Sequence, residues 1–264
     1  MITNDHSGGY LNSIKSEIDH HKAFDGLKIA PKYLLWFYYN TVKYPDSPVG
    51  KDEETRYYII YENLYQSLDS AAMKAKFQSF DLPVKIFKVL QIANLIERLH
   101  AKGIVHLNIN LASIVSIDAE MSDFRLVDFH NAVEVREKCR FANTIFYPFY
   151  NLKDKIYYAD FDQDAHAFAV IIMYLFDENH NFENKIKRNC NKSQVEISEE
   201  CNKVYKDKNM IISTNKNLND LLSKLKSDFF HNNYAFDISS IIKDLIRVYI
   251  EIIESKEAQF AKHN

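Results

Sequence analysis

Glycine is scarce in this chain, with five in 264 residues, about 2% against the roughly 7% of average proteins. They stand at Gly8, Gly9, Gly26, Gly50 and Gly103, and none follows Gly103. A dinucleotide-binding GxGxxG, a phosphate-cradling GxxxxGK and a GxSxG nucleophile elbow all need closely spaced glycines, so none of these can be written here. Cysteine is sparse as well. Cys139, Cys190 and Cys201 form no CxxC pair and follow no secretory leader, which predicts reduced thiols in the cytoplasm rather than a disulfide framework or a zinc site. No apolar run reaches the roughly 18 residues of a membrane span, Ala167 to Phe176 being the longest candidate. An excess of one charge is also missing: the net charge of −3 gives no general attraction to nucleic acid or to an anionic membrane.

What is present is an ordinary globular composition, 47% hydrophobic and 26% charged, enough for one large core or two small lobes. Residues 1 to 9 are polar. From Ser13 to Phe24, Ile14, Ile18 and Phe24 share one face of a short amphipathic helix that Gly26 ends. Tyr33 to Tyr39 and Arg56 to Tyr61 are aromatic and β-branched runs around a proline- and charge-rich stretch, the pattern of a hairpin with a long loop. Pro83 opens a helix in which Val89, Ile92, Ile96 and Leu99 step by three and four, with Gly103 as its C-terminal glycine. Short strands are expected at Ile104 to Val105, Ile114 to Ile117 and Phe124 to Val127. From Asp164 a helix apolar nearly all round predicts the centre of a lobe. Residues 179 to 216 read as a solvated face or insertion, with a phosphate-binding patch at Lys185, Lys187 and Arg188 as the sharper alternative. Asp237 caps a last helix striped by Ile238, Ile242, Leu245, Tyr249 and Ile252.

The segment LIERLHAKGIVHLNINLASIVSIDAEMSDFRLVDFHNAVEV, Leu95 to Val135, resembles the catalytic core of protein kinases, where LHxxGIVH leads into HRDxKxxN, two small strands and DFG. His106 stands at the motif's histidine, but Leu107 replaces its arginine and Asn108 the aspartate that takes the substrate hydroxyl's proton. Asn110 occupies the lysine position, and Ser113 the position of the metal-holding asparagine. Asp128 and Phe129 match the DFG signature, and His130 replaces its glycine, leaving Asp128 as the residual candidate for a metal. Upstream, Glu17 falls at the conserved glutamate of the small lobe's helix, and Glu62, Asn63 and Leu64 at the hinge. Only residues 1 to 12 precede that helix, too few for the strands that would carry a Gly-rich loop and an ATP-pairing lysine. TIFYPFYN resembles the end of the activation segment, with Pro148 kept and Tyr150 at its glutamate. Asp164 matches the aspartate that steadies the catalytic-loop backbone. DENHNFENKIKRN resembles, more weakly, a loop of unfolded-protein-response kinase-endonucleases, and no activity is carried over from it.

The resemblance implies an α+β, protein kinase-like fold, with a reduced N-lobe of one helix plus a β-hairpin over residues 1–62 and a mostly helical C-lobe over 63–264. It further implies a catalytically inactive pseudokinase without a cofactor, acting as a protein-binding, scaffolding or allosteric module. Its expected partner is another protein or a second copy, bound through the reduced N-lobe, with no nucleic acid and no membrane. An ATP-binding sensor and a residual phosphotransferase using Asp128 are the alternatives. The blander readings of single residues are a buried, hydrogen-bonded loop histidine for His106, a turn cap for Asp128 and a solvent-facing Glu17.

Overall fold

The computed structural model describes residues 9–42, 53–139, 157–177, 215–230 and 237–263. The charged stretch from 179 to 214, Cys190, Cys201, Pro148 and Tyr150 lie outside them. The chain is mixed α and β, with small sheets. Helix α1 (Gly9–Ala23) is followed by the antiparallel hairpin β1 (Tyr33–Val42) and β2 (Glu53–Tyr61). Both strands run further than the aromatic runs alone suggest. Gly26 takes φ +77°, the left-handed turn that frees the chain from α1. Register sets Leu35 opposite Ile60 and Phe37 opposite Tyr58, with an irregularity between Tyr33 and Leu35.

Beyond the hairpin, β3 (Gln66–Ser67) leads to α2 (Ala71–Ser79), a helix the sequence reading leaves unassigned. Its signals are local: the Ser70 hydroxyl accepts the Met73 N–H, and alanine-rich propensity follows. Helix α3 (Leu82–His100) starts where Asp81 accepts the Val84 N–H and Pro83 occupies the first turn, and it buries Ile86, Val89, Ile92, Ile96 and Leu99. Next come β4 (Ile104–Val105), β5 (Ile114–Ser116), β6 (Phe124–Leu126), β7 (Val133–Glu134), β8 (Lys138–Cys139) and β9 (Tyr157–Tyr158). They form a β3-β5-β6 sheet and the pairs β4-β7 and β8-β9. Cys139 is a buried free thiol, and burial pushes its pKa up to about 11.

Helix α4 (Phe161–Leu175) is the core spine, and it begins three residues before the expected start at Asp164. The reason is a capping box: the Asp160 carboxylate accepts the Phe161 N–H at 2.7 Å, while Gln163 reaches back to the Asp160 N–H at 3.1 Å. Asp164 therefore sits inside the helix, free to point its side chain away from the helix's own termini. Around α4 pack α3, α5 (Lys216–Phe230) and α6 (Ile238–His263). Helix α6 lies antiparallel to α3, pinned by Ser239 on Glu97 and Lys256 on Asp81. Among the described residues no helix is long and apolar enough to cross a membrane.

One carboxylate works against this packing. Asp162, in the first turn of α4, is pushed up to about 6, first by burial and then by Asp160. A folded-state value raised above the unfolded one makes ionisation oppose folding, fully above about pH 6 and not at all below the unfolded value of 3.8. Asp162→Asn should therefore raise the urea midpoint at pH 7 by on the order of 2 kcal/mol of stability, and the gain should vanish near pH 4. A pH-independent effect would show that the burial penalty is absent.

Candidate functional site

The loop from His106 to Leu111 passes through the interior, and each of its residues is buried. Buried backbone donors must find acceptors, and the first two of this loop, on His106 and Leu107, find theirs outside it. Asp164 supplies them. One of its carboxylate oxygens accepts the His106 N–H at 2.7 Å and lies 3.0 Å from the His100 ring nitrogen; the other accepts the Leu107 N–H at 2.9 Å. Leu107 is held at φ +59°, a left-handed conformation unfavourable to a side chain and tolerated because both flanking donors are fixed. Burial pushes the Asp164 pKa up, but the His100 and His106 contacts outweigh it, so the group lies below the ordinary carboxylate value.

Past Leu107 the polar side chains tie the loop to itself. The Asn110 amide oxygen accepts the N–H groups of Ala112 and Ser113, and its Nδ2 donates to the Asn108 carbonyl at 2.7 Å and to the Asn108 amide oxygen at 3.1 Å. The Ser113 hydroxyl accepts the Asn110 N–H and donates to the Asn110 carbonyl, each at 3.0 Å. Asn108 then turns its own Nδ2 onto the Asp128 carboxylate at 2.5 Å. Three polar side chains with potential for chemistry are thus spent on loop geometry.

Asp128 follows β6 in a left-handed conformation, φ +70°, and opens a single 3-10 turn, Phe129–Asn131. Its second oxygen pairs with the His130 ring. Burial raises the Asp128 pKa, yet His130, His106 and the Asn108 hydrogen bond together bring it below the ordinary value. His130 is shifted upward, chiefly by the hydrogen bond to Asp128. Both carboxylate oxygens are therefore occupied by donors of this chain. A phosphate-bound magnesium needs several open oxygen ligands, and here the one carboxylate is paired while Asn110 and Ser113 face into the loop. The residues do not fit that group. Among the described residues no cluster of three or more His, Cys, Asp or Glu is placed to hold a metal ion.

Phe129 carries the loop's position outward. Fully buried, its ring lies 4.7 Å from His106, 5.2 Å from Phe24 and 5.2 Å from His21, with His20 stacked at 6.1 Å. Burial lowers the pKa of His106 and of His20. Glu17, for which the blander reading is a solvent-facing side chain, is 8% exposed. It accepts from the His21 ring at 3.0 Å and the Tyr61 hydroxyl at 3.2 Å, while its other oxygen is buried without a hydrogen-bond partner among the described residues. His21, at i+4 from Glu17, was the overlooked signal; Tyr61 arrives from the end of β2 and no local pattern could place it. Burial and the Glu17 charge push the Tyr61 pKa upward.

The hinge candidates lie at the base of the hairpin. The Glu62 carboxylate accepts the Lys32 N–H at 3.0 Å and its own N–H donates to the Lys32 carbonyl at 2.8 Å, closing the hairpin's base. Asn63 is exposed and Leu64 half-buried, and the Tyr65 N–H joins the Ser116 carbonyl of β5. No protein-family model matches this chain, and no curated protein matches it either.

Two outcomes follow from this geometry. Asp164→Ala strands the His106 and Leu107 donors at about 1–3 kcal/mol each, so the urea midpoint should fall by roughly 3 kcal/mol of stability. An unchanged midpoint would show that the carboxylate does not anchor the loop. The His130–Asp128 pair is stabilising above the ordinary aspartate value of 3.8 and is lost as pH falls through the depressed one. It is equally present below the ordinary histidine value of 6.5 and lost as pH rises through the raised one. NMR titration of His130 should give a pKa above 6.5 that returns toward it in Asp128→Asn; no change would mean the ring and the carboxylate do not meet in solution.

Proposed function

We propose that this chain is a pseudokinase, a catalytically inactive member of the protein kinase-like superfamily. On this reading a reduced small lobe, residues 1–62, sits on a larger helical lobe, residues 63–264, and the molecule works in the cytoplasm as a protein-binding, scaffolding or allosteric module. The observation that carries it is the Asn108–Asp128–His130 arrangement. At the position where the resemblance calls for a base stands an amide, which has no useful basicity at pH 7, and its donor end is committed to Asp128 at 2.5 Å. At the position of the metal-binding carboxylate, the glycine's replacement by His130 sets a ring nitrogen of the chain itself against the carboxylate.

The magnitudes favour inactivity over residual turnover. Positioned acid–base catalysis contributes roughly 10²- to 10⁴-fold, or about 3–5 kcal/mol of barrier. Charge stabilisation of a transferring phosphoryl group is usually the larger contribution, and Asn110 and Ser113 are engaged in the loop instead. The anchoring of the loop backbone by Asp164 supports the kinase-like reading, since a buried carboxylate in that role is what the resemblance implies. The net charge of −3 supports protein rather than nucleic acid as the partner. The exposed apolar hairpin is the surface on which the partner would bind.

The test is radiolabel transfer from ATP with magnesium, to the chain itself or to a generic substrate, paired with a thermal-shift series. No transfer and no shift are expected. Transfer abolished by Asp128→Ala overturns the proposal, and a magnesium-dependent shift without transfer moves the function to nucleotide sensing. Asn108→Asp alone should not create activity. It replaces a donor to Asp128 with a second carboxylate, so the variant should lose stability at pH 7 and regain it as pH falls and the two carboxylates share a proton. Urea midpoints at the two pH values check this.

A further inference from the structure

Strand β1, Tyr33–Val42, contains no charged residue and no proline along its whole length. Its inner edge pairs with β2, and among the described residues nothing pairs with its outer edge. Past the irregularity at Leu34, the consecutive Leu35, Trp36, Phe37 and Tyr38 alternate between the two faces of the sheet, and with Leu34 all are between 42% and 59% exposed. Natural edges are blunted by charges, proline, short length or a bulge that twists the edge away, and of these β1 has only the irregularity between Tyr33 and Leu35 at its start. Strand β2 carries charged residues, at Glu53, Glu54 and Arg56; β1 carries none.

We infer that β1 pairs edge to edge with β1 of a second copy, antiparallel across a two-fold axis, giving one four-stranded sheet of order β2-β1-β1-β2. This rests on the non-catalytic reading in making the hairpin the binding surface, and it names the occupant. Three features select a second copy. Antiparallel pairing of a strand with itself is isologous, so each copy supplies the surface that the other needs. Because β1 is uncharged, no register of this pairing opposes like charges. Docking of a partner on one face would leave the other face's apolar side chains in water, whereas edge pairing sets cross-strand neighbours beside the side chains of both faces. The area fits a reversible contact: the five β1 side chains, about half exposed at roughly 200 Å² each, offer at most on the order of 500 Å² per copy, in the size class of weak interfaces that bury under about 1,200 Å² in total. A two-stranded hairpin is marginal alone, and the pairing brings it to four strands.

Trp36 is the chain's one tryptophan and reports directly on this edge. Sedimentation velocity of the full chain across micromolar concentrations should show a monomer–dimer equilibrium, with Trp36 emission moving to longer wavelength as dilution separates the copies. Leu34→Lys and Tyr38→Lys, one exposed position from each part of the strand, should each give monomers with an unchanged far-UV spectrum, while Glu54→Lys on β2 should leave the dimer intact. A chain that remains monomeric throughout, that forms open-ended oligomers, or whose dimer survives both β1 variants overturns the inference. The wild-type dilution series decides by itself if a lysine variant fails to fold. Phosphotransfer activity would instead overturn the proposed function, so the two readings fail in separate assays.

Discussion

The buried carboxylate of Asp164 is the constraint on which the described interior depends. An ion in that position is costly unless it is fully hydrogen-bonded, and here both oxygens accept: from the first two backbone donors of the loop, and from the ring of His100 at the end of α3. A single side chain on α4 therefore fixes the end of α3 and the start of the loop together. From there the order propagates outward. The loop sets His106, His106 meets Phe129, and Phe129 seats Phe24, His20 and His21 of α1. Helix α1 in turn holds Tyr61, and with it the base of the hairpin, through Glu17.

The polar groups of the loop illustrate a trade between chemistry and geometry. An amide offers a donor and an acceptor at once, so Asn110 can close two backbone N–H groups and still reach Asn108, something an ammonium group with donors alone could not do. The same duality lets Asn108 accept from Asn110 and donate to Asp128. Such a network rigidifies a buried loop because Asn108, Asn110 and Ser113 leave no buried side-chain atom unpaired, in contrast to the Nε2 of His106. Its cost is reactivity, since a group whose donors and acceptors are all engaged has none left for a substrate.

Elements governed by local rules were legible in the sequence. The three-and-four spacing from Val89 to Leu99 and the Gly103 stop define most of α3, and the aromatic runs define the hairpin. What was not legible depended on distance or on special backbone. The positive φ values at Leu107 and Asp128 carry no glycine signal, because tertiary hydrogen bonds rather than residue type hold them there. Of the two partners of Glu17, His21 stands at i+4 and is legible, whereas Tyr61 lies 44 residues away and is not. The start of α4 lies three residues before the apolar run that begins at Asp164, because the cap that Asp160 forms with Gln163 precedes that run. Helix α2 has its cap and propensity in plain sight, but its weak apolar patterning hides it from a periodicity search; only Met73 and Phe77 are buried.

The two halves of the hairpin stand on different physical footing. At its base, Glu62 bonds the Lys32 backbone, Tyr61 reaches Glu17, and the Lys22 ammonium lies over the Tyr33 ring at 5.3 Å. These contacts orient the strands against α1 but bury few of their side chains. Further along, Phe37 stacks on Tyr58 at 5.1 Å and Trp36 lies 6.4 Å from Tyr38, so the aromatic groups that are in contact touch one another rather than the core. Each such pair is worth about 0.5–1.5 kcal/mol, less than the entropy of ordering two strand residues. The polar anchors therefore fix where the hairpin points, whereas its cohesion must draw on apolar surface that the described chain leaves open.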